Sequence, residues 1–233
     1  MENTRGANYN NMYIGYNRTG KSSIALLHAH LWVINNPGGK VAGYDPQRRF
    51  RHLMDPRYTI MAGERDWFLD KKKERIKDKK LPLNTLRNSL LIFDDYRGIN
   101  RPATTFPELY ALMEFRAEYN LDIIFICHSP ALILEGLAPY ISHYYIFYTK
   151  GRNAKFEDKI ENYEECTAAS DIIKKYIQDN PDFIKNPGQF YDEKTGLHKF
   201  PHIIVDTATG ELIPQNIDKK WLKENWKNMQ PQQ

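Results

Sequence analysis

The sequence predicts an α/β fold, a mostly parallel central sheet flanked by helices, with a smaller C-terminal α+β elaboration. Three observations carry this. Strand-sized apolar runs alternate with helical stripes between residues 12 and 150, the pattern of a parallel sheet covered on both faces. A glycine-rich spacing lies between the first run and the first helix. Beyond Gly151 the alternation gives way to one long helical segment, a turn between two strand-like runs, and a short terminal helix. The chain has 233 residues, 41% of them hydrophobic, enough for a core of ordinary size. Residues 1–150 therefore read as the core and 151–233 as an elaboration packed on it.

"NMYIG" reads as the first strand. "KSSIALLHAHLWVI" follows as a helix whose apolar stripe is Ile24, Leu27, Leu31 and Ile34. "GGKVAGYD" is a turn and second strand ending at Asp45, and "RYTIMAG" a further short strand. The run "SLLIFDDYR" is a buried strand, and "FPELYALMEFRAEYN" a helix with Leu109, Leu112, Met113 and Arg116 at helical spacing. "LDIIFICHSP" is a buried strand ending in a turn at Pro130, and "HYYIFYTK" another strand. In the C-terminal part, a helix within "EDKIENYEECTAASDIIKKYIQD" stops at Asn180-Pro181. "HIIVDTATGELIP" forms two strands around a turn bearing Asp206 and Gly210, "KKWLKENWKNM" is an amphipathic helix, and "QPQQ" should fray.

The stretch "IGYNRTGKSS", Ile14 to Ser23, has the spacing of a phosphate cradle. Gly15 and Gly20 lack the Cβ that would forbid the required dihedrals. The backbone from Gly15 through Tyr16, Asn17, Arg18, Thr19 and Gly20 to Ser23 can then turn its N–H groups toward a triphosphate. Lys21 would reach the β- and γ-phosphates, and the Ser22 hydroxyl would ligate Mg²⁺. The bland alternative is a glycine turn beside a helix cap, which the flanking strand and helix argue against.

In "LLIFDD" four apolar residues lead into Asp94 and Asp95 at the carboxyl end of a strand. Beside a phosphate cradle this is the Walker B arrangement, in which Asp94 holds Mg²⁺ and Asp95 positions the attacking water. Asp95 is one methylene shorter than the usual Glu, so its water would sit closer to the strand. The next strand ends at His128 and Ser129, either of which could sense a γ-phosphate. A packed or capping histidine is the plain alternative, and Cys127 reads as buried strand.

The set GYNRTGKS, LLIFDD and RAEYNLDIIFICHSP resembles the FtsK–HerA group of P-loop ATPases over residues 12–150. That group contains ring-forming motors that translocate double-stranded DNA, among them the packaging ATPases of phages and large DNA viruses. The resemblance implies the additional-strand type of P-loop fold, with ATP and Mg²⁺ as ligands. It implies a homo-oligomeric ring whose site lies between subunits, and gives Arg116 the role of an arginine reaching a neighbour's γ-phosphate, with Arg97 and Arg101 as rivals. His128 stands where the group has Gln, Pro130 where it has Pro, and Asp95 where it has Glu. A capsid or portal-vertex protein is a further implied partner, and the host cytoplasm or virion the implied location.

Charge and composition narrow the alternatives. The net charge of +4 permits a polyanion partner without demanding one. Lys71–Lys80 carries seven basic and two acidic residues, either a solvated helix face or a phosphate-contacting patch. No apolar run reaches the ~18 residues of a membrane helix, and about eleven residues ahead of the first strand leave no room for a leader peptide. Cys127 and Cys166 lack metal or redox spacing and suit a reducing cytoplasm. His28 and His30 point to different helix faces, so no zinc pattern emerges. Two other functions remain: a small-molecule or nucleotide kinase, with "DPQRRFRH" as a lid, and a non-hydrolysing P-loop switch.

Overall fold

The computed structural model describes residues 8–44, 59–62, 87–94, 110, 113–133, 135–149, 156–157, 159–185, 191–192 and 197–226. Asp45 and the segment after it, the basic run Lys71–Lys80, Asp95, Arg97, Arg101, Leu109, Leu112 and the final "QPQQ" lie outside the described residues. The strands are β1 (Asn10–Ile14), β2 (Lys40–Tyr44), β3 (Thr59–Ala62), β4 (Ser89–Asp94), β5 (Leu121–Cys127), β6 (His143–Ile146), β7 (Tyr191–Asp192), β8 (Leu197–His198), β9 (His202–Asp206) and β10 (Leu212–Gln215). The helices are α1 (Lys21–Asn35), α2 (Arg116–Tyr119), α3 (Tyr163–Asp179), α4 (Asp182–Lys185) and α5 (Lys219–Asn225). Among the described residues the strands run in the orders β5-β4-β2-β3 and β10-β9-β6-β1, while β7 and β8 pair separately. The predicted α/β class and mostly parallel sheet are both present. By internal packing the chain divides into two units, one of residues 1–10 and 25–126, the other of residues 11–24 and 127–233.

In the first unit β5, β4, β2 and β3 pair in parallel. Leu90 to Phe93 and Ile123 to Ile126 are buried as unbroken runs, as strands covered on both faces require, and Phe93 stacks on Phe125 with ring centroids 5.2 Å apart. The carboxylate of Asp122 ties together two distant segments: Oδ1 accepts the Tyr9 N–H at 2.7 Å and Oδ2 accepts the Trp32 indole N–H at 2.6 Å. Burial raises the Asp122 pKa, and these two bonds oppose the rise. The Trp32 ring lies over Gly39, where an added Cβ would come within 2.4 Å of it.

Two sequence expectations need correction here. Helix α1 does not bury the stripe Ile24, Leu27, Leu31, Ile34. Ile24, Ala25, Ala29 and Trp32 are buried, Leu27 and Leu31 are half-buried, and Ile34 is 72% exposed. The helix is apolar nearly all round, so periodicity does not choose a face, and the small alanines permit the closer approach. The predicted helix around Met113 and Arg116 is interrupted at Phe115, after which α2 is a single turn closed by Asn120 in the left-handed region at φ 51°.

In the second unit β1 pairs in parallel with β6, and β9 adds antiparallel to the far side of β6. The C-terminal elaboration therefore enlarges the sheet itself. β9 and β10 form the expected hairpin. Asp206 Oδ1 accepts the N–H groups of Ala208 and Thr209, each at 2.9 Å, and Gly210 completes the turn at φ +71°. Helix α3 packs on β6 and β9 through Cys166, Ala169, Ile173 and Ile177, a clean helical stripe. It ends where predicted, with the Asn180 side chain donating to the Tyr176 carbonyl at 2.8 Å. Asp218 caps α5 by accepting the Trp221 N–H at 2.8 Å, and the Trp221 ring meets Tyr176 edge-on. Cys127 and Cys166 are both buried and form no disulfide with each other.

Candidate functional site

The loop after β1 has the conformation of an anion nest. Arg18 sits at φ +63° and Gly20 at φ +92°, while Thr19 between them keeps a negative φ; such alternation turns successive N–H groups toward one concavity. The Thr19 hydroxyl donates to the Tyr16 carbonyl at 2.8 Å and the Tyr16 N–H to the Tyr148 carbonyl at 2.7 Å. The first helical hydrogen bond of α1 runs from the Ile24 N–H to the Gly20 carbonyl at 2.9 Å. The loop thus delivers its N–H groups to a helix N-terminus, where the dipole favours an anion.

Lys21 is 4% exposed, and its Nζ donates to the carbonyls of Gly15 and Tyr16 at 2.7 and 2.8 Å. The ammonium is therefore held within the loop by two of the loop's own acceptors, the reach it needs for phosphate oxygens at the same place. Tyr16, Asn17 and Arg18 lie toward solvent at the tip, Thr19 is half-buried, and Ser22 and Ser23 are half-buried in the first turn of α1.

Both loop glycines are pressed by aromatic side chains. An added Cβ on Gly15 would stand 2.6 Å from Phe147 Cβ, and one on Gly20 would stand 2.0 Å from Phe200 Cγ. His202, buried on β9, joins the two contacts. Its ring stacks on Phe147 at 4.9 Å, and its Nδ1–H donates to the Phe200 carbonyl at 2.9 Å. Sequence reasoning missed Phe147, His202 and Phe200. The glycines announced a close approach of something, but no motif around "LHKFPH" said what approaches.

At the end of β5, the carbonyl of Cys127 accepts the Gly15 N–H at 3.2 Å. His128, the next residue, is half-buried. Ser129 is used locally: its Oγ accepts the Ala131 N–H at 3.3 Å, capping a 3-10 turn that Pro130 begins. Of the two candidate sensors, Ser129 is thus already engaged in shaping the turn.

In the other unit Asp94 closes β4 and is 2% exposed, in register with Ile126 of β5. A carboxylate at that depth needs a compensating cation or donors, which suits a Mg²⁺ ligand. Arg116 donates Nε to the Asn8 carbonyl at 2.8 Å and Nη1 to the Met113 carbonyl. These bonds tie α2 to the chain ahead of β1.

The donor set fits a nucleoside triphosphate with Mg²⁺. Nest N–H groups and the Lys21 ammonium suit phosphate oxygens, the Ser22 hydroxyl is a hard oxygen donor, and both glycines stand where side chains would collide. When bound, Mg²⁺ would neutralise charge developing on the phosphates. Among the described residues, no three His, Cys, Asp or Glu side chains are grouped to hold a metal by themselves, and no helix is long and apolar enough to cross a membrane.

No known protein family matches the chain, and no curated protein does. Solved structures do. B204, the DNA-packaging ATPase of Sulfolobus turreted icosahedral virus, superposes with a TM-score of 0.62 at 14% identity over 91% of this chain and 98% of its own. The genome packaging NTPase B204 of Sulfolobus turreted icosahedral virus 2 in complex with ATP-γS gives 0.57 at 12% identity, over 94% and 100%. The same protein with AMP gives 0.56 at 12% identity, over 91% and 98%. At these identities the likeness is one of fold, and it spans nearly the whole of both chains: this chain has the α/β architecture of the B204 packaging NTPases.

Proposed function

We propose that the chain is an ATP-hydrolysing motor that translocates double-stranded DNA during viral genome packaging. The observation that carries this reading is the loop itself: a nest of alternating backbone hand, a buried Lys21 ammonium and two glycines closed in by aromatics, at the start of a helix. The end-to-end likeness in fold to B204 supports the packaging assignment.

In this reading the loop and Lys21 grip the triphosphate, Ser22 and Asp94 hold Mg²⁺, and Asp95 orients the attacking water. His128 registers the γ-phosphate and relays its loss through Cys127 to Gly15. The likeness to FtsK–HerA motors adds a homo-oligomeric ring, with Arg116 supplying charge at a neighbour's γ-phosphate and a capsid or portal-vertex protein as the ring's seat. To serve so, Arg116 would have to exchange its bonds to the Asn8 and Met113 carbonyls for a phosphate. The working place would be the infected cell's cytoplasm or the virion.

Phosphate release with and without double-stranded DNA tests the proposal. Stimulation by DNA supports the motor, ADP formation only with an added acceptor selects a kinase, and no turnover in any condition selects a switch. Asp95→Asn should retain ATP and fail to hydrolyse it.

A further inference from the structure

The loop explains how phosphates would be held and leaves open what meets the nucleoside. Phe200 precedes β9 and is half-buried. A Cβ added on Gly20 would meet Phe200 at Cγ, Cδ2 and Cβ, the root and one near edge of the side chain, so the far part of the ring extends beyond that point. Gly20 gives its carbonyl to the first hydrogen bond of α1, so the ring stands at the helix N-terminus where phosphates collect.

Its placement is held from several sides. The Phe200 carbonyl accepts His202 Nδ1–H at 2.9 Å and Asn216 Nδ2–H at 3.1 Å. The His202 ring stacks on Phe147, whose Cβ closes on Gly15. A circuit of contacts thus runs from Gly15 through Phe147, His202 and Phe200 to Gly20, and holds the Phe200 backbone beside the loop. A benzyl side chain offers no hydrogen bond to phosphate. It offers an apolar π face, which every nucleobase can stack on.

The geometry points to Phe200 as the residue that stacks on the base of the bound nucleoside triphosphate. This rests on the reading of the loop as a triphosphate cradle, and it predicts affinity for the nucleoside with little discrimination among bases, since stacking needs only a π face.

The test compares ATP, GTP and inorganic tripolyphosphate binding, by calorimetry with Mg²⁺, to the full-length parent, Phe200→Ala, Phe200→Leu and Phe200→Trp. Leucine keeps apolar bulk against Gly20 without a π face, so it guards against a truncation that merely loosens the fold. The expected result is an about ten- to hundredfold weaker affinity for ATP and GTP in the Ala and Leu variants, unchanged tripolyphosphate affinity, and recovery with Trp. Equal losses for all three ligands would make Phe200 a support of the loop and overturn the proposal. Tighter binding of all three would make it an occluding plug, and unchanged ATP affinity would remove it from the site. A parent that binds neither ATP nor tripolyphosphate would instead overturn the cradle reading, and this one with it.

Discussion

The N–H of Gly15 donates to the carbonyl of Cys127 at 3.2 Å, so the first residue of the phosphate loop is tied to the residue before His128. If His128 senses the γ-phosphate, His128→Ala should bind ATP as the parent does and hydrolyse it more slowly, by on the order of a hundredfold for a lost transition-state donor. Equal losses in binding and turnover would mark His128 as a structural support of the loop.

Gly20 and Gly38 both have positive φ, +92° and +79°, but only Gly20 is crowded. Gly38→Ala should cost only the backbone strain, about 1–2 kcal/mol. Gly20→Ala adds a collision with Phe200 and should cost about 1–3 kcal/mol more, along with nucleotide affinity. Urea unfolding of the two variants reads the difference, and equal midpoints would mean that Phe200 does not press on Gly20 in solution.

Lys21→Ala should abolish phosphate release. Because the ammonium also serves the Gly15 and Tyr16 carbonyls, it should lower stability by about 1 kcal/mol. Arg116→Ala should bind ATP yet turn it over slowly if the arginine acts on a neighbour. Mixing the two inactive proteins then restores part of the activity, since some interfaces pair a sound loop with a sound arginine. No recovery in mixtures shown by sizing to co-assemble would confine Arg116 to its bonds with Asn8 and Met113.

Burial lowers the His28 pKa from its ordinary 6.5 to about 4. The folded chain thus keeps this ring neutral where the unfolded chain protonates it. Stability from this group is complete above pH 6.5 and falls as pH drops toward 4, by up to about 3 kcal/mol. His28→Gln should flatten the dependence of melting temperature on pH between 6.5 and 4. An unchanged slope would assign the acid sensitivity elsewhere.

What the sequence determined by itself was whatever depends on neighbours along the chain. The spacing Gly15-x-x-x-x-Gly20-Lys21-Ser22 specifies a loop because dihedral freedom, one ammonium and one hydroxyl are needed at fixed offsets. The continuous runs of β4 and β5 specify buried parallel strands, and Asp206 and Gly210 a turn, since each can be satisfied within a few residues. Tertiary structure alone decided which face of α1 is buried, because a helix apolar on nearly every side carries no periodic instruction and only packing against small Ala25 and Ala29 selects one. It alone brought Phe147, His202 and Phe200 to the loop glycines. Phe200 is 180 residues beyond Gly20 in the chain, and contacts at that separation arise from where β9 joins the sheet. No local pattern encodes such a meeting, because its energy comes from shape and burial that exist only once the strands have paired.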